Sequence, residues 1–245
     1  MSAARGQAQR LSQILFSQGF GTRRTCEALV HAGRVIVDGR LCEDPDEMLQ
    51  PEGLILTVEG RAWPVHDKAV ILLNKPAGYE CSQKPRHHPS VMTLLPPPLR
   101  ERDVQPVGRL DEDTTGLLLL TDDGQLNHRL TSPKWHVDKV YRVQCKHPVT
   151  QEAVEQLLQG VVLEDDPSPV RAEGCEICDA HGLLLTIAEG RYHQVKRMLA
   201  AVGNRVDRLH RERFGPLALP DDLPPGQWRW LNATERQALY ELRKS

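Results

Sequence analysis

The sequence lacks a long apolar run, and it lacks a strong excess of either charge. No segment approaches the roughly 20 apolar residues that cross a membrane, and no apolar signal-peptide core follows the arginines near the N-terminus. The formal net charge is only -2, which argues against a uniformly basic nucleic-acid-binding protein but permits a local basic surface. We therefore expect a soluble, cytoplasmic protein without a membrane-spanning segment.

The 6 cysteines lack the spacing of a disulfide framework. They are scattered through apolar or alternating segments, as is typical of reduced thiols. Cys175, Cys178 and His181 resemble part of a zinc site, but the pattern supplies no clear fourth ligand, and structural zinc sites have four. A turn that carries thiols explains these residues better, and we expect no metal site.

Positive charge is concentrated in two segments, 1–41 and 189–213, where arginine and lysine outnumber acidic residues. Arg23 and Arg24 fall in the first turn of a predicted helix, where cations oppose the helix dipole. A bound anion would explain them, and so would a solvated helix end; the sequence leaves both open. In the second segment Gly190 precedes a dense group of donors, which suits a phosphate or carboxylate partner.

The N-terminal residues predict a small module of two helices and a hairpin. Apolar residues from Leu11 onward have helical spacing, and Thr22 can cap a second helix. Asp38-Gly39 lies between alternating apolar residues and predicts a two-residue hairpin turn, after which a third strand spans 54–58. We assign residues 1–60 to this module, 61–67 to a linker and 68–245 to a second domain.

Strands and single helices alternate in the second domain. This order, together with hairpin signals, favours an α+β fold with a mixed sheet. Segment 79–106 should be largely loop around one short element at 91–95, and loops of this length are usually functional. Strands are predicted at 69–74, 117–120, 140–143, 183–188 and 205–209, and helices begin after Thr150, near Gly190 and near Asn232.

Residues 108–124 place an acidic loop directly before four consecutive leucines. Leucines 117–120 are too few for a helix of their own and predict a strand that is buried on both faces. Asp111 would lie at the rim of that strand, where a partly desolvated carboxylate can act as a nucleophile or a base.

Two other interpretations of this loop fit less well. Asp111, Asp113 and Thr115 match a pattern of aspartate-dependent phosphotransferases, but in that motif a buried strand precedes the first aspartate, whereas here the apolar run follows it. A calcium loop that starts at Asp111 would place 117–120 at positions that should be loop and ligand. We reject the calcium site and keep phosphoryl transfer as a lesser alternative.

Three segments of the chain resemble motifs of the bacterial ribosomal RNA pseudouridine synthases of the Rsu and Rlu family, and most closely those of its Rsu branch. They are GRLDEDTTGL at 108–117, EGRYHQVKRM at 189–198 and LHRERFG at 209–215. Residues 73–78 and 88–92 agree more weakly. The first 60 or so residues resemble the small RNA-binding module of the ribosomal-protein-S-four type.

The resemblance implies a pseudouridine synthase fold, with a mixed, mainly antiparallel sheet flanked by helices, and the isomerisation of one 16S rRNA uridine. Asp111 would be the catalytic aspartate, and Lys196 would pair with it and keep it ionised. Tyr141 would face the extruded base and accept the proton that leaves carbon five. Arg109 would fill the space that the flipped uridine vacates. The same reaction on a 23S uridine is the alternative.

The resemblance also implies two groups of RNA-contacting residues. Leu209 would form the floor of the pocket, and the arginines would hold phosphates. Ribosomal RNA would be the partner of a monomeric enzyme that needs neither a metal nor an organic cofactor. The substrate-binding residues would be Arg109, Arg191, His193, Gln194, Arg197, Leu209 and Arg211, and those of the N-terminal module Arg10, Arg23, Arg24, Arg34 and Arg40.

Overall fold

The computed structural model of the protein describes residues 7–164 and 166–242. The chain divides into two compact units. The first takes in the residues up to Ala69 together with Leu95–Val104, and the second takes in Val70–Leu94 and the residues from Gln105 onward.

The first unit contains two short helices and small antiparallel sheets. Strands β2, β3, β5 and β6 form a four-stranded sheet in the order β3-β2-β5-β6, and β1 pairs with β4. Its elements are β1 (Gln9–Arg10), α1 (Leu11–Ser17), α2 (Arg23–His31), β2 (Val35–Val37), β3 (Arg40–Leu41), β4 (Met48–Leu49), β5 (Ile55–Val58), β6 (Arg61–Pro64) and α3 (Pro97–Glu101).

Two tight turns shape the four-stranded sheet. Asp38 and Gly39 have φ angles of 45° and 86°, and the Thr22 hydroxyl accepts the Thr25 N–H at the start of α2; both were predicted from the sequence. Glu59 and Gly60 form a second left-handed pair at φ 51° and 81°. This turn returns the chain as β6, so the segment expected to be a linker at 61–67 contains a strand paired with β5.

Helix α3 was not predicted, because the prolines around it suggested a loop. Pro97 begins the helix, a position where a missing N–H costs no helical hydrogen bond. Arg102 follows the helix and donates to Gln18 Oε1 at 2.8 Å and to the His66 carbonyl at 2.9 Å. These bonds link residues 95–104 to the rest of the first unit.

The second unit is built on a mixed sheet in the order β13-β14-β10-β15-β9-β7-β17, with β8 and β16 added at β9 and β15. Only the β9–β15 pair is parallel among the described strand pairs. The strands are β7 (Val70–Lys75), β8 (Gln105–Pro106), β9 (Thr115–Thr121), β10 (Lys139–Cys145), β11 (Val161–Leu163), β12 (Asp166–Val170), β13 (Gly174–Ile177), β14 (Gly182–Ile187), β15 (Val206–Phe214), β16 (Leu217–Ala218) and β17 (Trp228–Trp230). Its helices are α4 (Gly124–Thr131), α5 (Gln151–Gln159), α6 (Gln194–Ala201) and α7 (Ala233–Tyr240). The α+β class and the mixed, mainly antiparallel sheet are thereby confirmed.

Strand β9 lies inside the sheet, as its run of leucines predicted. Leu117 and Leu119 belong to one large apolar cluster, and Leu118 and Leu120 are also fully buried. Strand β15 is longer than the predicted strand at 205–209, and it continues to Phe214. Three arginines within 208–213 hid this continuation, since charged residues are rarely buried. Leu209 and Arg211 therefore lie on the same face of one strand.

No helix in the described part of the chain is long and apolar enough to cross a membrane.

Candidate active site

Asp111 lies in the loop that connects β8 to β9, and several backbone contacts hold this loop. Its carbonyl accepts the Thr114 N–H at 3.2 Å, and the Gly78 N–H donates to the Glu112 carbonyl at 2.7 Å. The Leu110 N–H donates to Cys81 Sγ at 3.4 Å. The loop is therefore anchored on both sides of Asp111.

The Lys75 side chain holds the same loop through hydrogen bonds to its backbone carbonyls. The side chain is fully buried, and Nζ donates to the carbonyls of Pro76, Glu112 and Thr114 at 3.1, 3.1 and 2.8 Å. Burial lowers the pKa of Lys75, because the charged ammonium loses water that the carbonyls only partly replace. Two of its three acceptors, the carbonyls of Glu112 and Thr114, lie in the loop just after Asp111, so this lysine fixes the backbone next to the carboxylate.

Lys196 and His193 reach Asp111 from the start of α6. Lys196 Nζ lies 3.1 Å from Asp111 Oδ2, and His193 Nε2 lies 3.3 Å from Asp111 Oδ1. His193 has a left-handed backbone with φ 48° and precedes the first turn of the helix. The Asp111 carboxylate thus has a basic partner at each oxygen.

Asp113 shares the same lysine. Lys196 Nζ donates to Asp113 Oδ1 and Oδ2 at 2.7 and 2.8 Å. Burial disfavours the charged form of Lys196, but its hydrogen bonds with Asp113 and Asp111 outweigh that penalty and raise its pKa. Burial likewise opposes ionisation of Asp113, and the bond from Lys196 overcomes it and lowers the pKa of Asp113. The Lys196 ammonium therefore forms ion pairs with two neighbouring carboxylates, those of Asp111 and Asp113.

Tyr141 and Leu209 lie beside Asp111 on the neighbouring strands β10 and β15. Both are largely buried, and both line the small cavity of about 80 Å³ that Asp111, Lys196 and His193 also line. Arg211 is paired with Tyr141 across the strands, and its Nη1 donates to the Tyr141 hydroxyl at 3.5 Å. A carboxylate, an aromatic hydroxyl and an aliphatic floor thus meet in one pocket.

The predicted substrate-binding residues divide into three groups. Those that line the Asp111 pocket are Arg109, Arg191, His193, Gln194 and Leu209. Arg211 lines an adjacent cavity. Arg197 lines neither of these; its Nη1 donates to the Tyr192 carbonyl at 3.0 Å, and it faces a separate cavity.

The arginines of the N-terminal module are mostly engaged within that module. Arg10 pairs with Asp46 at 3.1 Å and Arg34 with Glu59 at 2.8 Å, and Arg40 pairs with Glu47. Arg23 stacks over the Phe16 ring at 5.5 Å, and Arg24 is exposed. Exposed pairs of this kind are weak, so the arginines can exchange partners at little cost.

Sequence reasoning missed Lys75, Cys81 and Lys139 as parts of this region. Lys75 ends an apolar strand just before Pro76, a position where a charged residue that is fully buried needs an explanation. Lys139 precedes Tyr141 by two residues and so shares its face of β10. The positions of Lys75 and Lys139 were visible in the sequence, but the recognisable motifs drew attention to neighbouring residues instead. Among the described residues, no cluster of three or more His, Cys, Asp or Glu side chains could hold a metal ion.

The sequence and the fold match a known family. The profile of the family described as RNA pseudouridylate synthase matches residues 69–201, and that of the S4 domain matches residues 9–55. The chain belongs to the RNA pseudouridine synthases, with an N-terminal S4 domain, as the sequence motifs indicated.

Particular relatives agree along nearly the whole chain. Ribosomal small subunit pseudouridine synthase A of Yersinia pestis is 42% identical over 92% of this chain and 96% of that protein. The enzyme of the same name from Escherichia coli (strain K12) is 40% identical, over 92% of this chain and 97% of that protein. A crystal structure described as pseudouridylate synthase superposes with a TM-score of 0.68 at 35% identity, covering 94% of this chain and 99% of that one.

Proposed function

We propose that this protein converts one uridine of 16S ribosomal RNA to pseudouridine, with Asp111 as the nucleophile. The observation that carries the proposal is the position of Asp111 in a pocket with Tyr141 and Leu209, with Lys196 at 3.1 Å from its carboxylate. The names of the relatives from Yersinia pestis and Escherichia coli support the small-subunit substrate.

The reaction is an isomerisation, so its atoms balance without a co-reactant. The bond between ribose carbon one and uracil nitrogen one breaks, the base rotates, and a bond forms from the same ribose carbon to carbon five of uracil. Carbon five loses a proton and nitrogen one gains one. The Asp111 carboxylate attacks ribose carbon one as the bond to nitrogen one breaks, and the bond that it forms breaks again when carbon five joins the same ribose carbon. Lys196 balances the charge of the carboxylate.

The remaining residues bind and position the substrate. Tyr141 faces the flipped base, and its oxygen accepts the proton from carbon five. Leu209 supports the ring from below. Arg109, which lines the pocket, fills the space that the uridine leaves in the RNA, because a stacked base must be extruded before it can react.

We also propose that the N-terminal residues 1–60 grip RNA away from the reacting uridine through Arg10, Arg23, Arg24, Arg34 and Arg40, and that 68–245 is the catalytic domain. All proposed catalytic residues belong to one compact unit of one chain, which supports action as a monomer. The ribosomal RNA substrate would place the enzyme in the cytoplasm.

Mapping of pseudouridines in ribosomal RNA tests the proposal. Carbodiimide adducts on pseudouridine stop reverse transcription. In carbodiimide-treated RNA from cells that lack this protein, one such stop in 16S rRNA should be missing. The wild-type chain should restore the stop, and Asp111→Asn should not. Loss of a 23S stop instead would reassign the substrate, and an unchanged pattern of stops would refute the proposed function.

A further inference from the structure

A second cavity of about 410 Å³ lies beside the Asp111 pocket. The two share Arg109, Tyr141, Gly190 and Arg191 in their walls. The proposed function assigns no ligand to this second cavity. Lys139, Arg211 and Phe214 belong to its wall and not to that of the Asp111 pocket.

Arg211 is a buried cation with unused hydrogen-bond donors. Only 2% of the residue is exposed. Its Nε donates to the Leu117 carbonyl at 2.8 Å, and Nη1 reaches the Tyr141 hydroxyl only at 3.5 Å. Nη2 is buried without a hydrogen-bond partner in the described part of the chain. A buried donor without a partner is costly, so a ligand that accepts hydrogen bonds would satisfy it.

Lys139 is a second cation at the same cavity. Its Nζ lies 5.7 Å from the centre of the Phe214 ring, and the Arg211 guanidinium lies 5.3 Å from the same centre. Nζ donates to the carbonyls of Val137 and Ala188 at 2.6 and 2.9 Å, which occupy two of its three N–H groups. Burial lowers the pKa of Lys139 to about 8, and the nearby charge of Arg211 adds to that effect.

The carboxylates near the cavity do not neutralise this pair. Among the described residues, no carboxylate lies within ion-pair distance of Lys139 or Arg211. Glu189 lines the cavity, but its Oε2 accepts a bond from Arg191 Nε at 2.7 Å. Two like charges are thus held together in a buried wall, and a bound anion would relieve their repulsion.

We propose that Lys139 and Arg211 form a binding site for a phosphodiester group of the substrate RNA, next to the flipped uridine. The inference rests on the proposed function, because the cavity adjoins the pocket that would receive the base. RNA carries a phosphate at each nucleotide, so a nucleotide with its base beside Asp111 brings a phosphate close to the shared wall. Lysine and a forked guanidinium are the side chains that hold phosphate in proteins.

A scan with neutral linkages tests this site. The RNA is a synthetic fragment around the uridine found by the carbodiimide mapping, with one methylphosphonate linkage placed at each position in turn. One linkage beside the uridine should weaken wild-type binding about tenfold, the factor that a hydrogen bond to a charged group is worth. The same linkage should weaken binding by Lys139→Met by a clearly smaller factor, because that variant has lost one of the two cations and keeps only Arg211 at the site.

Lys146→Met is the matched control, since Lys146 lies just beyond the other end of β10. It should respond to every linkage as the wild type does. If each methylphosphonate linkage weakens RNA binding by the same factor in the wild type and in Lys139→Met, the proposed site is wrong. The same result together with thermal stabilisation of the wild type by inorganic phosphate would assign the cavity to a free anion instead. A wild type that forms no pseudouridine in the unmodified fragment would refute the proposed function itself.

A labelling experiment keeps the proposal testable if Lys139→Met does not fold. Acetic anhydride should modify Lys139 in the free wild-type protein at pH 8, where a lysine with a lowered pKa is partly neutral and reactive. The RNA fragment should protect Lys139 and leave Lys146 unprotected, as read by mass spectrometry. Equal labelling of Lys139 with and without RNA would contradict the phosphate site.

Discussion

Lys196 Nζ lies 3.1 Å from Oδ2 of Asp111, although the two residues come from separate motifs of the chain. The same ammonium contacts both carboxylate oxygens of Asp113. One lysine therefore balances two acidic side chains, of which only Asp111 lines the pocket. This arrangement separates the proposed nucleophile, Asp111, from Asp113, which helps to hold the lysine.

Loss of the Lys196 charge should slow the reaction more than it weakens RNA binding. Lys196→Met would leave two neighbouring carboxylates without their shared cation, and we expect kcat to fall by about 100-fold, as when a charge-stabilising donor is removed from an active site. Lys196→Arg keeps the charge and should recover at least part of the rate. Single-turnover kinetics on the rRNA fragment would measure both; a Lys196→Met enzyme at the wild-type rate would exclude a role for this ion pair.

The two aspartates should differ sharply when each is changed to asparagine. Asp111→Asn should abolish pseudouridine formation while RNA binding stays within a few fold, because the side chain keeps its size and loses only its charge. Asp113→Asn is the matched variant on the same loop. More than half of the Asp113 side chain is exposed, at 56%, so we expect a loss within about tenfold, in line with the small energies of exposed ion pairs. Equal inactivation by both changes would contradict the assignment of the nucleophile.

The motifs pointed to the proposed catalytic residues, but they did not reveal what holds them in place. Asp111, Tyr141 and Lys196 stand out because their residue types carry chemistry in recognisable segments. Lys75 acts through backbone carbonyls, and a carbonyl is present at every position of every sequence. The continuation of β15 to Phe214 was hidden for a related reason. The buried Arg211 side chain is held by the Phe214 ring and by the Leu117 carbonyl, and the sequence shows no acidic partner for it.

Lys75 should matter for stability and for rate together. Lys75→Met removes the donor that serves three carbonyls around the Asp111 loop, and we expect a loss of about 2–3 kcal/mol in the free energy of unfolding. The looser loop should lower kcat while the KM for RNA changes little. Urea unfolding and steady-state kinetics measure these effects, with Lys146→Met as a control for the loss of one lysine. A stable variant with wild-type kcat would show that the three bonds do not position Asp111.

Lys139 gives RNA binding a defined dependence on pH. Its pKa is lowered to about 8 by burial and by Arg211, while Asp138 and Glu189 act in the opposite direction. Since the free protein loses this proton as pH rises through about 8, a phosphate in the cavity should raise the pKa again and draw a proton in. We expect proton uptake on RNA binding just above pH 8 in the wild type and none from this site in Lys139→Met.

Calorimetry in buffers of different ionisation enthalpy measures that uptake directly. The affinity of the wild type should also fall between pH 7 and pH 9.5 more steeply than that of Lys139→Met, because only the wild type loses a cation at the site. Identical proton uptake and identical pH profiles in the two proteins would show that Lys139 does not face the RNA.

Gly116 should tolerate no side chain, because β9 and β15 approach each other closely there. Its φ is +103°, and a Cβ atom would lie 2.3 Å from the Arg211 carbonyl oxygen and 2.8 Å from the Arg211 nitrogen. Gly116→Ala should therefore destabilise the protein by about 3 kcal/mol, from backbone strain and overpacking together. It should also reduce activity in the remaining folded protein, since the contact involves the Arg211 backbone and lies in the strand that follows the Asp111 loop. Gly124→Ala is the control, because nothing lies within 4 Å of the Cβ position there, and its unfolding midpoint in urea should stay near that of the wild type. Similar midpoints for Gly116→Ala and the wild type would show that the parallel pairing of β9 and β15 can open without cost.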